Sequence, residues 1–419
     1  MKKVTIVGGG VIGLFTAYYL TEAGVPVQII DNGTGESGCS HGNAGMIVPS
    51  HIIPLAAPGV ISKSLKWLLD ATSPFYVKPK LDLGLIKWGL AFQKAANPQI
   101  VEAAKPVLRD ISLLSKELYQ SLAKEFNFSF EEKGLLMLCQ KQETYDEEIE
   151  IAHQAIEIGI KAEILDVDGI KKLEPNSNPA AMGAVFFPGD AHCNPSILMQ
   201  ELKNYLLNKS VEFFYKTEVV DFKTNGDTVT EIIINQDDQE SGLEVDQVII
   251  CGGSWSQNIA KKLESYLPLQ AGKGYSFVRN QNKDTEIQVP SILVEGKVAV
   301  TPFEGGNVRF GGTMEIGGIN DHLNMKRVQG IVNCVNEFYP QLNLNLPSKE
   351  EIWYGFRPCS PDGLPYIGKM RKFENVLIGS GHAMMGLSMG PATGKLLADN
   401  YLGIPPKVSS QLLSPSRFE

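Results

Sequence analysis

Cysteine is scarce in this chain of 419 residues, with six in all and no C-x-x-C pair. Cys39, Cys139, Cys193, Cys251, Cys334 and Cys359 are scattered, so neither a disulfide framework nor a zinc-finger spacing follows. Reduced thiols in a cytoplasmic protein are the expectation. Positive charge is also in short supply: 38 Lys and Arg stand against 47 Asp and Glu, a formal net charge of −9. A broad nucleic-acid surface needs clustered Lys and Arg, so nucleic acid is not an expected partner. No apolar run reaches the roughly 18 residues that a membrane-spanning helix requires. The six histidines share no ligand spacing, and no metal site is expected. Low-complexity tracts and internal repeats are missing. Lys2-Lys3 precede an apolar stretch as in a signal peptide, but three glycines, Thr16 and Glu22 break that core, so the start reads as folded protein.

Glycine, by contrast, is placed with purpose. The apolar run Lys3–Val7 enters Gly8-Gly9-Gly10-Val11-Ile12-Gly13, and the helical pattern Leu14, Ala17, Tyr18, Leu20 follows. A second apolar run, Val27–Ile30, ends on Asp31. Gly8 permits a tight turn, Gly10 lets a pyrophosphate approach the backbone, and Gly13 lets helix and strand pack closely. The helix N-terminus at Val11 and Ile12 offers free N–H groups and the positive end of a dipole. Asp31 stands about 20 residues on, where a carboxylate accepts hydrogen bonds from an adenosine ribose. Strand, turn, helix and acid together predict dinucleotide binding. The alternative for Asp31 is a strand-end acid that caps the next turn.

Two further pieces of the same fold lie downstream. Glu244–Cys251 reads as a buried strand running into Gly252-Gly253-Ser254-Trp255, and Asn375–Ile378 runs into Gly379–Gly386 before a helix at Pro391–Leu402. Glycines at such strand ends admit a bound cofactor. Between these pieces, Ser196–Asn208 is an amphipathic helix, Thr217–Phe222 is strand-like, and the pattern between Asp221 and Asp246 suggests a hairpin turning at Asn225-Gly226-Asp227. Ile61–Gln154 reads as largely helical, including Pro106–Phe126, and Leu267–Ile352 as β-rich. The expected division is therefore a cofactor domain in three parts: 1–60, 155–266 (with a substrate-facing strand near 183–193) and 353–419. Insertions at 61–154 and 267–352 would form a substrate domain.

After Asp31 the chain does not continue into another β–α unit. Gly38-Cys39-Ser40-His41-Gly42-Asn43-Ala44-Gly45-Met46-Ile47 follows instead. This loop resembles the flavin-contacting loop of the D-amino-acid oxidase/dehydrogenase superfamily of FAD-dependent amine oxidoreductases. Thr217-Glu218-Val219, Ile249–Ser256, Gly355–Gly368 and Gly381–Gly390 resemble the same superfamily in order, and the likeness is nearest to its D-amino-acid dehydrogenase branch, hydroxyproline-oxidising relatives included. The resemblance implies an α/β fold: a discontinuous FAD-binding Rossmann-like domain with an α+β substrate domain built on a mostly antiparallel sheet. It also implies FAD as cofactor, an amino acid as substrate, a quinone or other electron acceptor, and a place in amino-acid catabolism. Cys39, His41 and Cys359 depart from the residue types expected in these motifs.

By that resemblance, Arg357 would hold the substrate carboxylate, for which a guanidinium presents a rigid bidentate fork. The alternative is a structural pairing with Asp362. Tyr275 would steady carboxylate or amine, or simply pack in the sheet with a hydrogen bond at its tip. His382 would face the flavin and polarise it or touch substrate, or serve as a structural hydrogen-bonder; His51 and His192 have weaker claims. Ser40, Asn43, Ala44, Gly45 and Met46 would border flavin or pyrophosphate. Val219 would meet the adenine through its backbone, and Gly252, Gly253 and Trp255 would border the cofactor. Gly381, Met384, Met385, Gly386 and Leu387 would present backbone N–H groups to negative charge on the ring. The narrow expectation is oxidation of a small or cyclic D-amino acid, such as a D-hydroxyproline. Rival readings are a glycine- or sarcosine-type oxidase, a non-catalytic accessory flavoprotein subunit, and the flavin module of an RNA-modifying enzyme.

Segment 61–96 stands apart in this acidic chain. Lysines 63, 66, 78, 80, 87 and 94 face only Asp70 and Asp82, interleaved with Trp67, Phe75, Tyr76, Trp88 and Phe92. Such a segment suits peripheral contact with the inner face of a membrane, near a quinone, or a helical lid over the active site.

Overall fold

The computed structural model describes residues 2–57, 73–78 and 82–419. Lys63, Lys66, Trp67, Asp70 and Lys80 of the basic aromatic segment lie outside them.

The chain forms two layered bodies. The first is a six-stranded sheet in the order Tyr366–Lys369, Val376–Ser380, Gln247–Ile250, Val4–Val7, Val27–Ile30, Glu212–Phe214. All neighbours pair in parallel except the first two. Alternation along each strand sends side chains to opposite faces. Val4, Ile6, Val27 and Ile29 pack under the helices Val11–Glu22, Pro195–Asn208 and Gly390–Leu402. Val7, Ile30, Val248 and Ile250 pack on the other side against a three-stranded sheet, Thr217–Asn225, Thr228–Gln236 and Gln239–Glu244. The expected hairpin turn at Asn225-Gly226-Asp227 is present.

The second body is a nine-stranded sheet, antiparallel except where Ser291–Leu293 meets Leu135–Cys139 and where Phe75–Val77 joins Met314–Ile316. Its long strands are Gln270–Asn280, Val298–Phe303, Asn307–Ile316 and Trp353–Cys359. The helix Met325–Phe338 closes one face with Val328, Ile331, Val332 and Val335. The other face looks toward the first body.

The division into bodies follows packing rather than the expected chain segments. The helix Pro98–Leu122 docks Val107, Leu108, Ile111 and Tyr119 onto the first body, beside Phe15. It does not join the second, although it falls in 61–154. It also begins eight residues earlier than Pro106, because the Asn97 side chain caps it by accepting from Gln99 N at 2.8 Å and Pro106 sits within it. Conversely, Glu163–Leu165 belongs to the nine-stranded sheet although it falls in 155–266; it pairs there with Gly183–Phe187, which lies where the substrate-facing strand is expected. An amphipathic helix or strand specifies that one face is buried, not against which neighbour.

Candidate active site

A cavity of about 2040 Å³ is lined by residues of both bodies. At one end lies the glycine turn. Gly8 adopts φ +111° and a Cβ there would stand 2.5 Å from the Cys251 carbonyl oxygen, so the turn can pass the neighbouring strand only as glycine. Gly13 serves helix–strand contact, since a Cβ would fall 1.9 Å from Gly8 O. Gly10, the helix N-cap, leaves the helix end open to the cavity; the nearest atom to a Cβ would be Ser40 Oγ at 3.5 Å. Ser40 Oγ also accepts from Val11 N at 3.1 Å. Asp31 accepts from Gly9 N at 2.6 Å and from Gly33 N at 2.7 Å, and it borders the cavity. Its carboxylate both braces the turn and faces the space beside it. The open helix end, the acid and the cavity form a cradle that side chains would fill, and it fits a dinucleotide such as FAD.

The loop 38–47 forms the next wall. Asn43 Oδ1 accepts from Gly45 N at 2.9 Å, and Gly45 takes φ +84° with its missing Cβ only 2.3 Å from Cys193 O. Arg309, on the opposite sheet, donates to His41 O at 3.2 Å and to Asn43 O at 2.5 Å. Burial pulls its pKa down to about 10. This arginine pins the loop across the two bodies. Nothing in its sequence surroundings marks it, since it is a lone arginine on a strand. Facing the loop is the turn Ala383–Leu387, where Met385 packs near Ala44 and Tyr119 donates to Leu387 O at 2.7 Å.

Arg357 stands at the far end. Its Nη1 donates to Thr313 O at 2.7 Å, and no carboxylate pairs with it among the described residues. Asp362, the expected structural partner, is taken by Arg417, which donates to both of its oxygens at 2.7 and 2.9 Å. Gly274 lies beside Arg357 on the neighbouring strand, and a Cβ there would meet Nη1 at 1.9 Å. Burial lowers the pKa of Arg357, yet a guanidinium stays charged. A desolvated, unpaired cation facing a cavity is the partner a carboxylate requires. The helix Leu83–Ala95 also lines the cavity: Trp88 stacks on Phe92 and donates to Cys359 O at 2.9 Å.

Most expected residues border this cavity: Gly8, Gly10, Val11, Ile12, Asp31, Ser40, Asn43, Ala44, Met46, Val219, Gly252, Gly253, Trp255, Met384, Met385, Gly386, Leu387, Arg357, Tyr275 and His382. Gly13, Gly45 and Gly381 do not, and they act by shaping the backbone behind it. Val219 is held by its carbonyl, which accepts from Lys262 Nζ at 2.7 Å, while its side chain is core. Two of these residues also make structural contacts. The Tyr275 ring belongs to the core under Met325–Phe338, and its hydroxyl accepts from Asn324 N at 3.2 Å; burial raises its pKa to about 12. His382 is buried, its Nε2 is 2.9 Å from Thr393 Oγ1, and burial lowers its pKa to about 3. These are the contacts that the structural alternatives call for, and both residues border the cavity as well. Among the described residues no group of His, Cys, Asp and Glu could hold a metal ion.

Known proteins fall in line with this geometry. The family model described as FAD dependent oxidoreductase matches residues 3–400. The D-amino acid dehydrogenase of Granulibacter bethesdensis is 30% identical over 423 residues, covering 99% of both chains. That of Helicobacter pylori is 28% identical over 400 residues, 95% of this chain and 94% of its own. In three dimensions, glycine oxidase from Geobacillus kaustophilus superposes with a TM-score of 0.79 at 21% identity, covering 100% of both chains. L-proline dehydrogenase from P. horikoshii does so at 0.77 and 19% identity, covering 100% of this chain and 97% of its own. These structures share the fold.

Proposed function

The chain belongs to the family of FAD dependent oxidoreductases, and we propose that it oxidises the C–N bond of a small or cyclic amino acid, preferentially of D configuration. One observation carries the substrate class: Arg357 is a half-buried guanidinium on the cavity with no carboxylate partner among the described residues. The names of the sequence relatives support the same reading. FAD, when bound, accepts the hydride that leaves the substrate α-carbon.

The chain's own residues supply orientation. Arg357 binds the carboxylate through a bidentate fork and Thr313 O holds one of its nitrogens in place. Trp88 and Phe92 cover the site and exclude water. The turn Met384–Leu387 borders the cavity ahead of the helix Gly390–Leu402, whose positive dipole end favours negative charge. Gly8–Gly13 and Asp31 would hold the pyrophosphate and ribose, with Asn43–Gly45 along the flavin. The imine product hydrolyses in water to a keto acid and ammonia, or stays cyclic if the substrate is proline-like; a D-hydroxyproline is the narrow candidate.

Electrons would pass to a quinone or similar acceptor. The helix Leu83–Ala95 turns Trp88 inward while Leu83, Ile86 and Leu90 are 78%, 48% and 63% exposed, with Lys87 and Lys94 alongside. An outward apolar row flanked by lysines supports peripheral contact with an anionic membrane surface, the inner face in a cell. No helix among the described residues is long and apolar enough to cross a membrane.

The test is anaerobic mixing of the purified yellow protein with D-, L-, N-methyl and cyclic amino acids. Bleaching of the flavin band by D-amino acids is expected. Faster bleaching by glycine or sarcosine would move the protein to an oxidase of those amines, and no bleaching by any would leave an accessory flavoprotein. Acid precipitation should leave the colour in the supernatant, since the FAD is expected to be non-covalent. Rapid peroxide formation in air without a quinone would defeat the proposed acceptor.

A further inference from the structure

Asp190 is 1% exposed, and no lysine or arginine forms an ion pair with it among the described residues. Both of its carboxylate oxygens are served by Ser50. Oδ1 accepts from the Ser50 backbone N–H at 3.1 Å and Oδ2 from its hydroxyl at 2.5 Å. Ser50 Oγ also lies 3.2 Å from Nδ1 of His51. A hydroxyl has one proton to give. Burial raises the pKa of Asp190 to about 7, so above neutral pH it is a carboxylate that takes that proton; Ser50 Oγ then meets His51 only as an acceptor, and the imidazole proton belongs on Nδ1. Nε2 is then a lone pair, with no hydrogen-bond partner among the described residues. Burial and the nearby Lys297 charge keep the ring neutral, its pKa lowered to about 4.

His51 borders the cavity, whereas Ser50 and Asp190 lie behind it. Its stretch of backbone links the two halves of the site. Three residues before it, Val48 N donates to Ser388 Oγ at 2.9 Å, just past the Met384–Leu387 turn. Four residues after it, Leu55 N lies 2.6 Å from where Gly363 would carry a Cβ, in the loop that follows Arg357.

We infer that His51 Nε2 is the hydrogen-bond acceptor for the substrate nitrogen, its tautomer set through Ser50 by the buried Asp190. The inference rests on the amino-acid reading above. Arg357 recognises the carboxylate but offers only donors, and an amino nitrogen with its N–H groups needs an acceptor. A neutral imidazole with a bare Nε2 supplies one without adding charge.

Two measurements test it. In protein labelled with ¹⁵N-histidine and held at about pH 8.5, where Asp190 with its pKa of about 7 is ionised, the His51 resonance, identified by its loss in His51→Leu, should show a protonated Nδ1 and a bare Nε2. Asp190→Asn can donate its amide to Ser50 Oγ, which frees the hydroxyl proton for His51 Nδ1, so this variant should show the opposite tautomer. An unprotonated Nδ1 in the wild type at that pH would overturn the relay. The second measurement uses the FAD-loaded protein and the amino acid that reduces the wild type best. His51→Leu and Asp190→Asn should each weaken its use by about tenfold or more, although Asp190 does not touch the cavity. A nitrogen-free carboxylate of the same size, titrated against the flavin spectrum, should bind both variants as it binds the wild type. His51→Gln, whose amide oxygen reaches near the place of Nε2, should recover part of the loss. Equal losses for amino acid and plain carboxylate would overturn the inference in favour of general damage to the cavity. Undiminished amino-acid use in both variants would overturn it too, while leaving the role of Arg357 intact. If no amino acid reduces the wild type, the reading beneath it falls and the inference falls with it.

Discussion

Gly274→Ala isolates the arginine from the fold. Gly274 faces Gly355 across the strand pair Gln270–Asn280 and Trp353–Cys359, and its missing Cβ would lie 1.9 Å from Arg357 Nη1. That atom is the far end of a flexible side chain, so the guanidinium must move while the strands stay. Alanine in place of glycine stiffens the unfolded chain, which stabilises by about 0.4–1 kcal/mol. Loss of the 2.7 Å bond from Nη1 to Thr313 O costs about 0.5–1.5 kcal/mol. The two nearly offset, so the melting temperature should shift by only a few degrees. Substrate binding should suffer far more. Removing one partner of a buried charged pair costs about 2–5 kcal/mol, and a displaced guanidinium keeps its charge, so the lower end applies. About 2–3 kcal/mol corresponds to a loss of roughly 30- to 160-fold in kcat/KM. Anaerobic flavin reduction against amino-acid concentration measures this, with FAD content and melting curves recorded on the same preparation. Gly13→Ala is the contrast: its Cβ would overlap the Gly8 backbone oxygen at the same 1.9 Å, and backbone cannot step aside. That variant should lose FAD or fail to fold. Wild-type concentration dependence in Gly274→Ala would refute the placement of substrate at Arg357.

Asp31→Ala removes the acceptor for Gly9 N and Gly33 N, and the protein should purify with a lower flavin-to-protein absorbance ratio; a full complement of FAD would count against the cradle. Tyr275→Phe should lower stability by about 1 kcal/mol, by loss of the Asn324 N–H bond, with kcat/KM within about twofold of wild type; a hundredfold loss of activity would return Tyr275 to the substrate. His382 has its pKa lowered to about 3 in the folded protein, against about 6.5 unfolded. Above that higher value neither state binds the proton. As pH falls from about 6.5 toward 3 the unfolded chain gains it and the native one does not, so stability drops by about 1.4 kcal/mol per pH unit from this group. His382→Gln should flatten that acid limb in melts taken from pH 7 to 4, and an unchanged slope would contradict it. Replacing Leu83, Ile86 and Leu90 together by Ser should abolish sedimentation with anionic vesicles at low salt while leaving amino-acid-driven flavin reduction intact; equal sedimentation of both proteins would assign this helix to the lid alone.

The parts of this protein legible in its sequence are those where the physics acts over a few residues. Gly8, Gly10 and Gly13 announce a turn, an open helix end and a close helix–strand contact, because Gly8 takes a positive φ and a Cβ at Gly13 collides with the Gly8 backbone five residues before it. Near-continuous apolar runs in Val4–Val7 and Val27–Ile30 disclose strands buried on both faces. The Asn43–Gly45 loop and the Arg357 motif were readable as motifs, and they border one cavity. What chain order could not settle was direction and partnership at long range. Pro98–Leu122 has a clear apolar stripe, yet only packing beside Phe15 shows that the stripe belongs to the cofactor body. Tyr275 and Gly274 are neighbours in sequence, but strand alternation turns one into the core and leaves the other beside the guanidinium. Arg357 is unpaired because Arg417, 55 residues beyond Asp362, takes that carboxylate with both forks. The grip of Arg309 on the Asn43 loop spans 266 residues, and the bond from Ser50 to Asp190 spans 140. Hydrogen bonds and desolvation depend on separation in space, which chain position does not encode, so these contacts exist only once the two bodies have closed on the cavity.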